Sequence, residues 1–552
     1  MCYSVLLDTM SIQQYIFSSS KLKDNIGASF LVEQAYHKFL RDALIKTFKH
    51  KAKQEIVDVL RAWHQNPDKI NINNTNDFFE VGYIGGGNAL LLFNKIDHAK
   101  FFIKEWTGSL LVIAPGLVTA SAMNEQFDPE NAKQGLKQLL ERLEQNKNQY
   151  IPQTVIQRHG ITAECSRSGY SMESWLSAGE DSAYISDVSM AKIAASRYAN
   201  RCLEKKFKES KKIPKLKLCF SDKLEDLGHR KKEDSHIAIV HIDGNEMGKR
   251  FKEQTTLPEI RKLSIGLTDK TELCMKHLIE TITKRFEDVQ TALGYDTEEK
   301  RKKYPTGDQD KPVIPLRPLV IGGDDVTFVC NGKLGVYLAK LFLEKFTEKD
   351  FMGKPLSACA GIAITKEKYP FYRGYELAEQ LCTRAKRERI KNESPDSWLD
   401  FHIALGGFSG TLEEIRSSHY QVEQGSLLFR PFYINDTGER NFNTFIQGTR
   451  LFYDKDTSGT LDDDKKEEKI PRSKWMKLRD VLYQGDAAAK SLIQEFNARG
   501  LKLPKLGEAG YHEKIWENSK TPYFDMIELV EFYPSFELKK NGGAKDDVSN
   551  KN

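Results

Sequence analysis

The sequence predicts an α+β protein in which one strand–helix–hairpin–helix–strand unit occurs twice. Three observations carry that reading. The chain has 552 residues, too many for one ordinary domain and enough for roughly three or four. Two segments, about residues 1–150 and 236–405, run through the same order of strand and helix patterns. Each holds a glycine-rich hairpin at its centre, GGGN at 85–88 and GGDD at 322–325. An internal duplication with one copy stripped of its acids is the simplest account.

In the first copy an apolar strand at 3–7 precedes a long helical stretch at 29–53. The run VGYIGGGNALLLF at 81–93 reads as two β-strands joined at the glycines. An amphipathic segment at 98–106, a strand at 116–122 and a helix at 131–146 complete the unit. That is the order of a ferredoxin-like palm. Residues 151–235 read as a linker domain, helical at 189–207 and strongly basic through KKFKESKKIPKLKL at 205–218. The second palm, 236–405, opens with the nearly continuous apolar strand at 236–243 and helical sequence at 257–293. A polar stretch at 298–312 leads into the hairpin at 318–330, then a helix at 334–346, a strand at 356–364 and a helix at 375–389. Residues 406–538 read as a helical C-terminal domain, clearest at 475–483 and 487–498. The tail at 539–552 has almost no apolar residues and is expected to be disordered.

Composition narrows the function classes. Hydrophobic residues make up 39% and charged residues 29%, as in a soluble protein with packed cores. No run approaches the roughly 20 apolar residues of a membrane span, and the N-terminus has no secretion pattern, so no membrane partner is expected and the default location is cytoplasmic. A net charge of +5 does not by itself identify a nucleic-acid binder. The eight cysteines are scattered without a C-x-x-C pair, which supports neither a disulfide framework nor a four-cysteine zinc site.

The GGDD hairpin carries the chemistry. Gly322 and Gly323 let a phosphate approach the main chain closely. Asp324 and Asp325 are adjacent acids between very apolar strands, and two such charges repel unless a cation sits among them. A hard divalent ion, Mg²⁺ or Mn²⁺, is the usual partner for oxygen ligands. Asp243, at the end of IAIVHID, supplies a third acid, because the first strand of such a sheet lies centrally beside the hairpin. Three carboxylates around a divalent ion can bind a triphosphate and acidify a ribose 3′-hydroxyl. Lys386, in ELAEQLCTRAKRERI, is placed to contact that triphosphate.

At these residues the sequence resembles the CRISPR polymerase family, the large double-palm subunits of type III CRISPR effector complexes. HIDGNEMGKRF resembles the family's D-G-D-x-M-G strand end, RPLVIGGDDVTFV its hairpin, and LSACAGIAITKEKYPFYRGYELAEQLCTRAK its S-A-G-I-A-I strand and lysine-bearing helix. In the first palm LLDTMSIQQYIFSSSKLKDNIGASFLVE is similar to the D-I-S-G-I-Q-x-F-I-F opening, and GGGNALLLF to the acid-free hairpin. LLFRPFY, IPRSKWMKLR and TPYFDMIEL are similar to C-terminal segments. The resemblance implies metal-dependent polymerisation of ATP into linear or cyclic oligoadenylates. It implies metal and catalytic roles for Asp243, Asp324 and Asp325, nucleotide phosphates at Gly322, Gly323 and Lys386, and a base pocket near Ser357. Gly86, Gly87 and Asn88 match the acceptor palm's hairpin, and Asp8 the aspartate of its opening. Activation by guide and target RNA through partner subunits, one of them docking on the C-terminal helices, is implied as well.

Three departures qualify the transfer. Asn245 stands where the family often has a second Asp, removing one ligand charge. Near Glu164–Arg167 only Cys165 remains of the paired zinc cysteines, so no zinc is expected. The chain opens at the palm without a His-Asp dipeptide, so no HD-type DNA cleavage is expected. Other motifs carry less. DKDTSGTLDDDK at 454–465 has Lys465 where a calcium loop needs Glu and reads as a solvated acidic loop. His241 reads as a hydrogen-bonded core histidine, and the basic run at 205–232 as a wet surface. A diguanylate cyclase shares the hairpin but normally has Glu at the position of Asp325, and its R-x-x-D is absent, VIPL standing at 313–316. A non-catalytic scaffold is the remaining alternative; the retained acids argue against it.

Overall fold

The computed structural model describes residues 2–72, 78–149, 151, 153–177, 182–208, 218–228, 235–307, 310–348, 351–404, 410–435, 438–453, 470–506 and 510–539. The acidic loop at 454–465, part of the basic run at 205–232 and the tail from 540 onward lie outside them.

The first palm runs β1 (Cys2–Met10), α1 (Ile12–Phe17), α2 (Leu22–Gln34), α3 (Leu40–Thr47), α4 (Lys53–Gln65), β2 (Phe79–Gly85), β3 (Asn88–Phe93), α5 (Ile96–Ile113), β4 (Val118–Phe127) and α6 (Ala132–Lys147). Its antiparallel sheet has the order β2-β3-β1-β4, as in a ferredoxin-like unit. The single helix expected at 29–53 is instead two helices joined by a π-helical turn, Ala35–Phe39, and it ends before Phe48. Phe48 is buried and stacks among Phe78, Phe79 and Phe93, which turns the chain out of the helix. The helical stretch also starts earlier than its apolar pattern does. Asp24 and Asn25 are buried, and Asp24 is paired with Arg167 at 2.7 Å and with Ser19 at 3.0 Å.

The linker adds the hairpin β5 (Ser174–Leu176) and β6 (Ala183–Ile185), α7 (Asp187–Lys208) and α8 (Glu225–Gly228). Helix α7 crosses α2 so closely that a Cβ on Gly27 would lie 1.7 Å from the Lys192 carbonyl oxygen, so only glycine fits there.

The second palm contains β7 (His236–Gly244), α9 (Met247–Glu253), α10 (Leu257–Lys284), α11 (Phe286–Ala292), α12 (Glu298–Arg301), β8 (Leu316–Gly322), β9 (Asp325–Asn331), α13 (Gly335–Thr347), β10 (Ala358–Lys366) and α14 (Phe371–Lys391). A further strand, β11 (Trp398–Ala404), pairs parallel to β10, and a short strand at Phe432–Tyr433 pairs with β11. The sheet therefore has six strands rather than four. Asp400 and His402 disguise β11 in the sequence. Both are buried, and Arg416 grips Asp400 with two nitrogens at 2.7 and 2.8 Å.

The C-terminal region comprises α15 (Leu412–His419), α16 (Phe442–Arg450), α17 (Arg472–Gln484), α18 (Asp486–Ala498), α19 (Tyr511–Lys514), α20 (Tyr523–Leu529) and α21 (Ser535–Leu538). Its apolar core is continuous with that of the second palm. Among the described residues no helix is long and apolar enough to cross a membrane.

The palms are joined reciprocally. Ser29 on α2 donates to the Leu319 carbonyl on β8, and Arg261 on α10 enters the first palm beside β2. Arg261 is fully buried. It donates to Glu80 at 2.7 Å, to the Lys69 carbonyl at 2.9 Å and to the Val81 carbonyl at 3.1 Å from Nε. Glu80 in turn accepts from the backbone of Asn71 and Ile72. Removing one partner of such a buried pair leaves the other charge stranded. Arg261→Ala is expected to cost about 3–5 kcal/mol in guanidinium unfolding. A loss below about 0.5 kcal/mol, typical of inconsequential surface changes, would mean that apolar contacts alone hold the palms together.

Candidate functional site: an acidic hairpin between two palms

Strand β7 is apolar almost throughout because it is the central strand, hydrogen-bonded between β9 and β10 and buried along most of its length. Its register places Asp243 opposite Asp325. The β8–β9 turn is Gly323–Asp324, with Gly323 at φ 61°, a left-handed conformation that glycine adopts without strain. Thr271 on α10 donates to the Gly323 carbonyl and anchors the tip. Asp324 folds over Gly244, whose amide donates to the Asp324 carbonyl at 3.1 Å. A Cβ on Gly244 would lie 2.8 Å from the Asp324 Cβ, which accounts for the glycine after Asp243. The three acids are thus neighbours.

Their electrostatics show it. Burial, reinforced by the charge of Asp243, pushes Asp324 up to about 6 and Asp325 up to about 7. Lys386 reaches Asp243 Oδ2 at 2.5 Å. Burial opposes its charge, but the adjoining Asp243 holds the ammonium above its usual range. The sequence assigned Lys386 to phosphates; in the free chain it neutralises an acid. It does so because α14 projects Tyr375, Glu379, Cys382 and Lys386 at helical spacing, and its Cys382 bonds the Cys359 carbonyl on β10. His241 is buried, with Nδ1 3.3 Å from Thr327 Oγ1 and 3.4 Å from Asp325 Oδ1, and burial lowers its pKa. It is a core histidine that also faces the site.

The donors suit a hard divalent cation in kind: three carboxylates at one hairpin end, with Asp325 Oδ1 buried and lacking a hydrogen bond. They do not form a ready-made cage. Among the described residues no group of three or more His, Cys, Asp or Glu is arranged to hold a metal as it stands, and Lys386 occupies one oxygen of Asp243. Asn245 and Ser357 are brought together, Asn245 Nδ2 donating to Ser357 Oγ at 3.0 Å, while Asn245 Oδ1 is buried without a partner. Cys165 is buried with Sγ 3.5 Å from Ser189 Oγ.

The acid-free palm repeats the same frame. Asp8 lies opposite Asn88, and the Thr9 amide donates to the Gly87 carbonyl at 3.0 Å. Asp8 pairs with Lys147 at 2.9 Å, the counterpart of Asp243 with Lys386. Gly87 holds the place of Asp324, and a Cβ there would sit 2.2 Å from Ile12 Cδ1. Ile12 would have to move to admit a side chain, and at φ 78° the position itself favours glycine. Lys147 was legible only by aligning the two copies end to end. Gln13, which bonds Asp325 from the other palm at 3.3 Å, stands at the glutamine of the D-I-S-G-I-Q opening, but nothing in the sequence tied it to the acids.

Between the hairpins lies a cavity of about 1530 Å³, bounded by Gly85, Gly86 and Gly87 on one side and Gly322, Gly323 and Asp325 on the other. It is larger than the few hundred to about 1,000 Å³ of a typical small-ligand site. Asn88, Asp243, Asp324, Ser357 and Lys386 stand off its wall.

Residues 236–394 match the family model for the Cas10/Cmr2 second palm domain. No curated protein matches the sequence. Among solved structures, the chain is similar to the Csm1–Csm4 cassette in complex with cA3, at 12% identity and a TM-score of 0.51, over 96% of this chain and 69% of that one. The cassette in complex with pppApApA matches at 11% identity and a TM-score of 0.48, over 96% and 69%. With cA4 the values are 11% and 0.48, over 97% and 69%. The family match and the fold likeness converge on one statement: residues 236–394 match the Cas10/Cmr2 second palm, within a Cas10-like double-palm fold.

Proposed function

We propose that the chain is a metal-dependent nucleotidyltransferase that joins ATP molecules through 3′–5′ phosphodiester bonds into linear or cyclic oligoadenylates, as part of RNA-guided antiviral defence. The observation that carries the reading is the convergence of Asp243, Asp324 and Asp325 at one hairpin end beside an inter-palm cavity wide enough for more than one nucleotide. The cA3 held by the fold neighbour supports the substrate class.

Asp243, Asp324 and Asp325 would hold Mg²⁺ or Mn²⁺, which supplies Lewis-acid neutralisation of phosphate charge when bound. Gly322 and Gly323 leave the hairpin backbone open to phosphates. Lys386, paired with Asp243, would offset triphosphate charge. Asp325, as a further ligand, would aid deprotonation of the 3′-hydroxyl through the ion it helps to hold. Ser357 borders the base, and Gly86, Gly87 and Asn88 of the first palm bound the acceptor. RNA would act through partner subunits, one docking on the C-terminal helices.

Incubation with each labelled nucleoside triphosphate and Mg²⁺ or Mn²⁺, with and without RNA, followed by mass spectrometry, tests the proposal. Adenylate oligomers are expected, lost on chelation with EDTA. A guanine-only dimer would favour the cyclase alternative, and tight RNA-complex assembly without turnover the scaffold. Asp324→Ala with Asp325→Ala is expected to abolish synthesis, and persistent synthesis would overturn the assignment.

The same double variant should be more stable than the parent near pH 8. Raised carboxyl pKa values mean that the acids favour the fold only when protonated. The parent's stability from them is full below about pH 4 and is lost as pH rises through 6 to 7. A Tm gain of about 1 °C per kcal/mol relieved is expected at pH 8, closing below pH 4. Equal Tm values at both pH values would contradict the repulsion. Adding Gly87→Asp and Asn88→Asp to the double variant is expected to restore no synthesis, since position 87 sits at φ 78° with Ile12 against it; recovered product would show the first palm competent.

A further inference from the structure

Gln13 belongs to the first palm, yet its Nε2 donates to Asp325 Oδ2 at 3.3 Å across 312 residues of sequence. We infer that Gln13 is a positioning residue of the acidic site, tying one oxygen of Asp325 to the first palm and leaving the other to face a divalent cation. The inference rests on the metal reading above and deepens it: the second palm's acids are complete only with the first palm in place.

The support around Gln13 is rigid. After β1 the chain turns through Ser11 at φ 50°, a left-handed conformation uncommon for a residue with a side chain, and this sends α1 toward the second palm. Phe17 stacks on Tyr375 of α14 with ring centres 3.9 Å apart and leans on Phe371 at 6.0 Å. At the far end of α1, the buried Lys192 of the linker donates to the Tyr15 carbonyl at 2.6 Å and to Ser18 Oγ at 3.2 Å. Entered through the left-handed Ser11 and held at its C-terminal end by both neighbours, the short helix fixes where position 13 points. Asp325 itself has a second neighbour, His241, 3.4 Å from Oδ1, but makes no hydrogen bond through that oxygen. Gln13 is therefore the hydrogen bond that sets the rotation of this carboxylate.

The duplication shows the contact to be one-directional. In the second palm Glu246 adopts the same left-handed turn, at φ 59°, and α9 begins at Met247 as α1 begins at Ile12. The residue matching Gln13 is Gly248, which has no side chain and nothing within 4 Å of a notional Cβ. No donor crosses back toward Asn88 from that position. One palm lends a side chain, and the palm that kept its acids receives it.

The test is Mn²⁺ titration of the full-length chain, read by electron paramagnetic resonance or calorimetry, for the parent, Gln13→Met and the Asp324→Ala, Asp325→Ala double variant. Gln13→Met keeps length and bulk but removes the donor, and is expected to weaken Mn²⁺ binding about tenfold, the scale of one hydrogen bond to a charged group. Melting gives a second readout. Gln13→Met should lower Tm in the parent but not in an Asp325→Ala background, because only a bond to that carboxylate couples the two positions. Parent-like Mn²⁺ affinity in Gln13→Met, or equal Tm losses in both backgrounds, would overturn the positioning role. Mn²⁺ binding by the parent no tighter than by the double variant would instead sink the metal reading, and the inference with it.

Discussion

The molecule depends on one desolvated arginine. Arg261 leaves α10 of the second palm and ends among the β2 edge carbonyls and Glu80 of the first, with no access to solvent. A guanidinium in that position is tolerable only because its fork meets acceptors on several sides at once. Its place can hardly shift without stranding a charge, so the relation between the palms is fixed to within hydrogen-bond tolerance. From that constraint follow the facing of the two glycine hairpins, the cavity between them and the reach of α1 toward Asp325.

Within this frame the two palms are unequal copies. Both keep an aspartate at the end of the first strand and a lysine on the last helix, Asp8 with Lys147 and Asp243 with Lys386. Both turn into the next helix through a left-handed residue, Ser11 or Glu246. They diverge at the hairpin. Ile12 has grown into the space that Gly87 leaves, whereas Asp324 lies over Gly244. The GGGN hairpin thus lacks acids and has Ile12 against its third glycine.

The acidic palm is held in tension. Two carboxyls are pushed well above their usual range by burial and by Asp243, and one ammonium relieves part of the repulsion. Such clusters cost folding stability, and perturbed acids in a cleft mark function more often than architecture. The ion pair of Lys386 with Asp243 compensates part of that charge, and a cation arriving from solution would have to compete with the lysine.

Much was legible in the sequence. The duplication, the hairpins and the three acids could be read because β7 and the strands around GGDD are continuous apolar runs and the glycines punctuate them. The early start of α2 and the strand β11 were hidden for a common reason: Asp24, Asn25, Asp400 and His402 look like surface residues until Arg167 and Arg416 arrive from elsewhere to bury the two aspartates. Only the fold could decide that Lys386 rests on Asp243, that Ile12 lies against the first hairpin and that Gln13 reaches Asp325. Local pattern fixes which elements form, because backbone hydrogen bonding and side-chain period act over a few residues. Contacts hundreds of residues apart depend on how whole sheets are brought face to face, and no spacing rule along one chain encodes that.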